Sequence, residues 1–220
     1  MTERWATFDC YGTLIDWMGG IRSTLAQLFP EHDAELLLAG YHDIEPEVQR
    51  GRAIPYREVL TESLVKLASR EGLELAADDR AALADSLPSW PPFPEVPAAL
   101  HDLRESGWRL AILSNTDPDL LDASLSLIAV PIDVRITAAE AGSYKPAHAH
   151  WDRFFAETEA DRARHVHVAA SLFHDIAPCA ELGLTAVWIN RLGETSDLPR
   201  ASELPDVEQL PATLEHLVPA

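Results

Sequence analysis

The sequence predicts an α/β fold: a Rossmann-like parallel sheet core with an inserted helical cap domain after the first strand. Short apolar runs alternate with helix-like stretches, which is the spacing of right-handed crossovers. A long block of helical periodicity follows the first run, too long to be a crossover. Short polar residues then gather just beyond the apolar runs, at the edge where open parallel sheets hold their ligands.

The first run is RWATF at 4–8, and it ends at Asp9. A carboxylate at the mouth of a buried strand costs free energy unless hydrogen bonds or a cation compensate it, so Asp9 is a turn residue or a reactive group. Between 17 and 90 the segments ELLLAGY and YREVLTESLVKLASREGL repeat apolar residues at three and four, as helices do. The chain returns through LPSWPPFPEVP at 87–97, whose five prolines exclude a regular helix and suit a stiff hinge. The later runs are RLAIL (109–113), DVRIT (133–137), HVHVA (165–169) and TAVWIN (185–190). The acidic stretch ETSDLPRASELPDVEQL reads as a solvated surface loop. These elements divide the chain into an α/β core of 1–16 and 91–220 and a helical cap of 17–90.

Composition narrows the function. The 220 residues are 47% hydrophobic, enough for a real core, and carry a formal charge of −19. That charge repels nucleic-acid phosphates and anionic membrane surfaces, so neither is an expected partner. No apolar run approaches the roughly 20 residues of a membrane helix, and the N-terminus lacks the order of a signal peptide, so a cytoplasmic location is expected. The cysteines, Cys10 and Cys179, form no disulfide framework and lack metal-ligand spacing; Cys10 reads as a small buried side chain. In so acidic a molecule an anionic substrate needs its own local cation, which singles out Lys145 in GSYKP.

The polar residues at the strand ends are Asp9, then Ser114 and Asn115, then Ser171 and Asp175, with Lys145 beyond the third run. Thr13 and Ser114 can cap the helices that follow their strands, and Asp175 can cap the helix IAPCAELG. His165 and His167 alternate along a strand and are expected to face the packing helices; His174, beside Asp175, is a candidate site contact.

In this order DCYGTL, LSNTD, YKP and SLFHD resemble the haloacid dehalogenase superfamily over nearly the whole chain. Most of its members are magnesium-dependent phosphatases with DxDGT, whose second aspartate protonates the leaving oxygen. Here that position is Tyr11, a phenol poorly suited to the task at neutral pH, whereas a halide leaves without a proton. The phosphatase GDSxxxD aspartate that holds magnesium is Ala170, which offers no oxygen. The pattern is similar to the DxYGT of hydrolytic 2-haloacid dehalogenases of type II.

That resemblance implies no metal and no cofactor, and a small anionic halogenated acid as substrate. It implies Asp9 as nucleophile, with Lys145, Asp175, Ser114 and Thr13 in the catalytic set, and Tyr11, Asn115 and Cys10 in contact with substrate. A magnesium-dependent phosphatase and a non-enzymatic binding protein on the same fold are the alternatives. The oligomeric state stays open, with a homodimer as one expectation. The chain also departs from L-2-haloacid dehalogenases: LLLAGYHDIEPEVQ lacks their halide-binding arginine, Ala170 and Leu172 replace a serine and an asparagine, and Trp151 replaces a tyrosine. Tyr41, His42, Tyr56 and Trp90 are candidates to line a reshaped pocket.

Overall fold

The computed structural model describes residues 3–52 and 54–220. Its strands are β1 (Arg4–Phe8), β2 (Trp108–Ser114), β3 (Val134–Thr137), β4 (His165–Ala169), β5 (Ala186–Ile189) and β6 (Ser202–Leu204). They form one sheet in the order β3-β2-β1-β4-β5-β6, with every neighbouring pair parallel. β1 and β4 are buried at every position, the polar Arg4, Thr7, His165 and His167 included.

Five strands lie where the apolar runs place them, shifted by a residue at some ends. β6 corrects the expectation of a solvated loop at the acidic tail. Three residues are too few for a period to show, yet Leu204 is buried, and Val207, Leu210 and Leu214 bury beside it as α10 (Leu210–Leu217) docks.

Residues 17–90 hold α1 (Trp17–Leu28), α2 (Ala34–Gln49), α3 (Tyr56–Glu71) and α4 (Ala82–Ser86). Asp16 caps α1 by accepting from the Gly19 N–H, and Asp33 caps α2 by accepting from Glu35 and Leu36. α2 and α3 bury facing stripes, Leu37, Tyr41, Ile44 and Val48 against Leu60, Leu64 and Leu67. Each such side chain contributes about 1.5–3 kcal/mol by leaving water. α3 follows Pro55 and has no side-chain cap of its own. Asp117, from the loop after β2, fills that role by accepting from the Tyr56 and Arg57 N–H groups at 2.9 and 3.0 Å, and so ties the helical block to the sheet.

The two connections to this block are paired. Asp16 N–H donates to Pro91 O and Phe93 N–H to Leu14 O, both at 2.9 Å. Glycine is required nearby, because a Cβ on Gly20 would stand 2.3 Å from the Trp90 ring. The proline-rich return is irregular through 90–95, as its composition demands. Its last residues open α5 (Val96–Glu105), where Pro97 sits in the first turn and sacrifices no hydrogen bond. The remaining helices are α6 (Pro118–Ile128), α7 (Ala138–Ala141), α8 (Ala149–Thr158) and α9 (Ala177–Glu181). Among the described residues no helix is long and apolar enough to cross a membrane.

Candidate active site

The chain turns sharply as it leaves β1. Asp9 N–H still donates to Val168 O of β4, after which Leu14 and Ile15 N–H both return to Cys10 O. Gly12 takes the left-handed φ of 86° that this turn requires. The turn brings Thr13 back onto the nucleophile candidate: Thr13 Oγ1 donates to Asp9 Oδ2 at 2.9 Å and accepts from Ala170 N–H at 2.9 Å.

Lys145 completes the grip. Its Nζ donates to Asp9 Oδ1 (2.8 Å), Asp175 Oδ1 (2.6 Å) and Leu113 O (2.8 Å), so all three ammonium protons are used. Asn115 fixes the lysine backbone by a reciprocal pair, Nδ2 to Lys145 O at 3.0 Å and Lys145 N–H to Oδ1 at 2.7 Å. Asp175 stands on a single π-helical turn, Leu172–Ile176, a local irregularity often found where a side chain must be aimed.

Burial opposes charge on Lys145, but Asp175 and then Asp9 outweigh it and hold the ammonium above its usual range. Burial likewise opposes charge on Asp175; Lys145 and then His167 prevail and hold that carboxyl well below the ordinary carboxylate range. The ammonium lies between the two carboxylates, where a divalent ion bridging them would have to sit. Ala170 offers a methyl, and among the described residues no group of His, Cys, Asp and Glu is arranged to hold a metal. The donor set therefore does not fit a resident magnesium ion.

A cavity of about 740 Å³ opens over this cluster. Asp9, Asn115, Lys145 and Asp175 line its sheet side, with His174 beside them. Trp17, His42, Glu45 and Tyr56 line the side built by the helical block. There Trp17 Nε1–H donates to Tyr56 OH (2.9 Å), which donates to Glu45 Oε1 (3.0 Å). Burial pushes the Glu45 carboxyl up to about 7, with the Tyr56 hydrogen bond pulling the other way.

Of the residues singled out in the sequence, Asp9, Thr13, Lys145 and Asp175 meet in one network. Asn115 lines the cavity, though both ends of its amide are committed to the Lys145 backbone. Ser114 is 1% exposed and does not line the cavity; its Oγ has no hydrogen-bond partner among the described residues, while its carbonyl accepts from His150 Nε2. Tyr11 lines the cavity with its ring, but its hydroxyl is drawn to α6, 3.0 Å from Ser124 Oγ and 3.3 Å from Leu120 O.

Cys10 is a correction. Its side chain is fully buried in the core and does not line the cavity, because the residue after Asp9 points back beneath the turn; burial raises its thiol pKa. Tyr41 and Trp90 are likewise core residues, whereas His42 and Tyr56 do line the cavity.

Sequence reasoning missed Glu45, Arg191 and the role of His167. Arg191 lines the cavity, held by Glu95 and Thr13 O and stacked on Phe93. His165 and His167 do face α8, packing against Phe155 and Trp151. His167 also reaches the site: Nε2 lies 3.0 Å from Asp175 Oδ1, and Nδ1 lies 2.8 Å from Thr7 Oγ1, which in turn meets His165 Nε2 at 2.8 Å. Burial first, then His167 and Arg162, hold His165 down at about 3. The alternation HVH pointed to that face of the strand; only the fold shows that Asp175 lies at its end.

A family model described as haloacid dehalogenase-like hydrolase matches residues 4–183. The chain is 29% identical over 208 residues to an (S)-2-haloacid dehalogenase of Pseudomonas sp. (strain YL), covering 91% of this chain and 88% of that one. A crystal structure of an L-2-haloacid dehalogenase superposes with a TM-score of 0.87 at 27% identity, over 98% of this chain and 100% of the other. The fold is also shared with the L-2-haloacid dehalogenase of Xanthobacter autotrophicus solved with chloropropionic acid covalently bound. That match has a TM-score of 0.82 at 19% identity, over 97% and 99% of the two chains. The chain thus belongs to the haloacid dehalogenase-like hydrolases and is an enzyme similar to the 2-haloacid dehalogenases.

Proposed function

We propose that the protein is a metal-independent hydrolase that converts a small 2-haloalkanoic acid to the 2-hydroxy acid through an ester on Asp9. The observation that carries this reading is the state of Asp9. It is a cavity-facing carboxylate clamped at one oxygen by an ammonium and at the other by a hydroxyl, and two residues on stands the Tyr11 phenol, its hydroxyl turned to α6, in place of an acid. Residues 17–90 act in it as a cap over the site.

One Asp9 oxygen attacks the carbon bearing the halogen, and the carbon–halogen electron pair departs with the halide. Splitting the displacement through a covalent ester replaces one hard step by two easier ones. Water then adds to the Asp9 carboxyl carbon. Lys145 and Thr13, already aimed at the Asp9 oxygens, stabilise the oxyanion, and collapse releases the hydroxy acid. Asp175 lines the cavity and its Oδ2 has no partner among the described residues, which suits it to align the water and accept its proton. Cys179 and His150 take no part in this scheme.

The test is halide release from chloroacetate and the 2-chloropropionate enantiomers with EDTA present. Release should survive EDTA and fall at least about 10³-fold in Asp9→Asn. In Asp175→Asn the mass of the ester should appear on the protein. Phosphate release from an aryl phosphate with magnesium, without halide release, would overturn the reading.

A further inference from the structure

In-line displacement at carbon expels the leaving group away from the attacking oxygen. Asp9 rises from the sheet side, so the departing group faces the helical wall. The polar groups of that wall are hydrogen-bonded in one direction. Trp17 gives its N–H to Tyr56, Tyr56 gives its O–H to Glu45 Oε1, and the Gln49 amide also donates to Oε1, at 3.3 Å. His42 stacks flat on Trp17, 5.1 Å between centroids, and burial lowers its pKa, so it offers no cation. Arg22 lines the cavity but is spent on Glu35 at 2.8 Å.

The chain of donors therefore ends at Glu45. Both incoming hydrogen bonds fall on Oε1, which makes Oε1 the carbonyl-like oxygen and leaves the proton of the neutral acid on Oε2. Oε2 has no hydrogen-bond partner among the described residues, and the residue lines the cavity. The titratable groups that feel its charge are phenols, Tyr41 on its own helix, Tyr56 on α3 and Tyr144 beyond β3, none of which supplies a counter-charge. Burial in such company holds the carboxyl up to about 7, so it is protonated below that pH and ionised above it.

We propose that Glu45 donates its O–H to the departing halide and so directs the enzyme toward 2-fluoro acids. This rests on the reading of Asp9 as nucleophile. Asp9 forms the carbon–oxygen bond, the carbon–fluorine pair leaves as fluoride, and the Glu45 proton stays on Glu45 as a hydrogen bond to that anion. Water later supplies the hydroxyl, so the sum is fluoro acid plus water giving hydroxy acid, fluoride and a proton. Fluoride accepts hydrogen bonds more strongly than the larger halides and breaks the strongest carbon–halogen bond, so it gains most from a donor placed before the reaction begins. Ionised Glu45 would repel the same anion, and turnover of the fluoro acid should fall as pH rises through about 7.

The experiment measures fluoride release from 2-fluoropropionate and chloride release from 2-chloropropionate in the wild type, Glu45→Leu and Glu45→Gln, from pH 6 to 9. In Glu45→Leu the ratio of fluoride to chloride turnover should drop roughly tenfold or more. Glu45→Gln, whose amide still donates but cannot ionise, should keep most of the ratio and lose the fall near pH 7. An unchanged ratio in Glu45→Leu overturns the proposal, as does a wild type that releases chloride and no fluoride. Silence in both arms removes the Asp9 reading as well, which separates the two failures.

Discussion

On the sheet side of the cavity the polar groups are ions at short range: one lysine shared by two aspartates, with a threonine and a histidine bracing them. On the helical side they are an indole, a phenol and a carboxyl that burial holds up to about 7, joined in one hydrogen-bonded line. The first wall spends burial on fixing charges in place, and the second spends it on keeping charge away. Chemistry needs a nucleophile that does not move, whereas choice among substrates needs only a surface that rewards one leaving group over another. A substitution should therefore act on rate and stability together at the first wall, and on selectivity at the second.

The sharpest way to break this contrast is Lys145→Met. It leaves Asp9 and Asp175 facing each other without a countercharge, which should cost about 3–5 kcal/mol in denaturant unfolding and abolish turnover. A stable, active Lys145→Met protein would mean that the sheet wall is not held by its ions.

The second test concerns pH. The folded pKa of Glu45 lies above its unfolded value, so its share of stability is complete below about pH 4 and lost as pH rises to about 7. Unfolding free energy should fall by about 3 kcal/mol across that interval, and Glu45→Leu should flatten the curve. Asp175 has the opposite sign: its folded pKa is depressed, so its contribution is present above about pH 4 and disappears as acid protonates it.

His167→Phe tests the brace beneath Asp175. A hydrogen bond to a charged group is worth about 1.5–3 kcal/mol, so ester hydrolysis should slow roughly 10- to 100-fold. The ester formed on Asp9 should then build up in rapid-quench mass spectra, and His167→Gln should recover part of the rate. A uniform loss of both steps would point to a packing role alone. The smallest effect is expected for Tyr11→Phe, which deletes a hydroxyl bonded to α6: about 1 kcal/mol of stability and little change in turnover.

Much of this was legible in the chain because it is local. A parallel strand buried on both faces is mostly apolar, and the residue that ends the run must lie at the sheet edge. Asp9 and Asn115 could thus be placed without coordinates, whereas Lys145 and Asp175, well past the ends of β3 and β4, were singled out by charge and by the resemblance. What escaped depends on which elements meet. Glu45 reads as one acid among many on an amphipathic helix until α3 brings Tyr56 onto it. His167 shares its face with His165, and only the π-turn after β4 carries Asp175 back over it. β6 was too short to show a period, and Cys10 sits beside Asp9 in sequence while pointing into the core.

The paired neck described above has a mechanical meaning. Leu14 O and Asp16 N–H, which bind the return segment at Phe93 and Pro91, belong to the same turn that presents Thr13 to Asp9. The joint of the helical block and the mount of Asp9 are thus one piece of backbone. A rotation of the four helices at this joint would therefore pull on the Thr13 contact to Asp9.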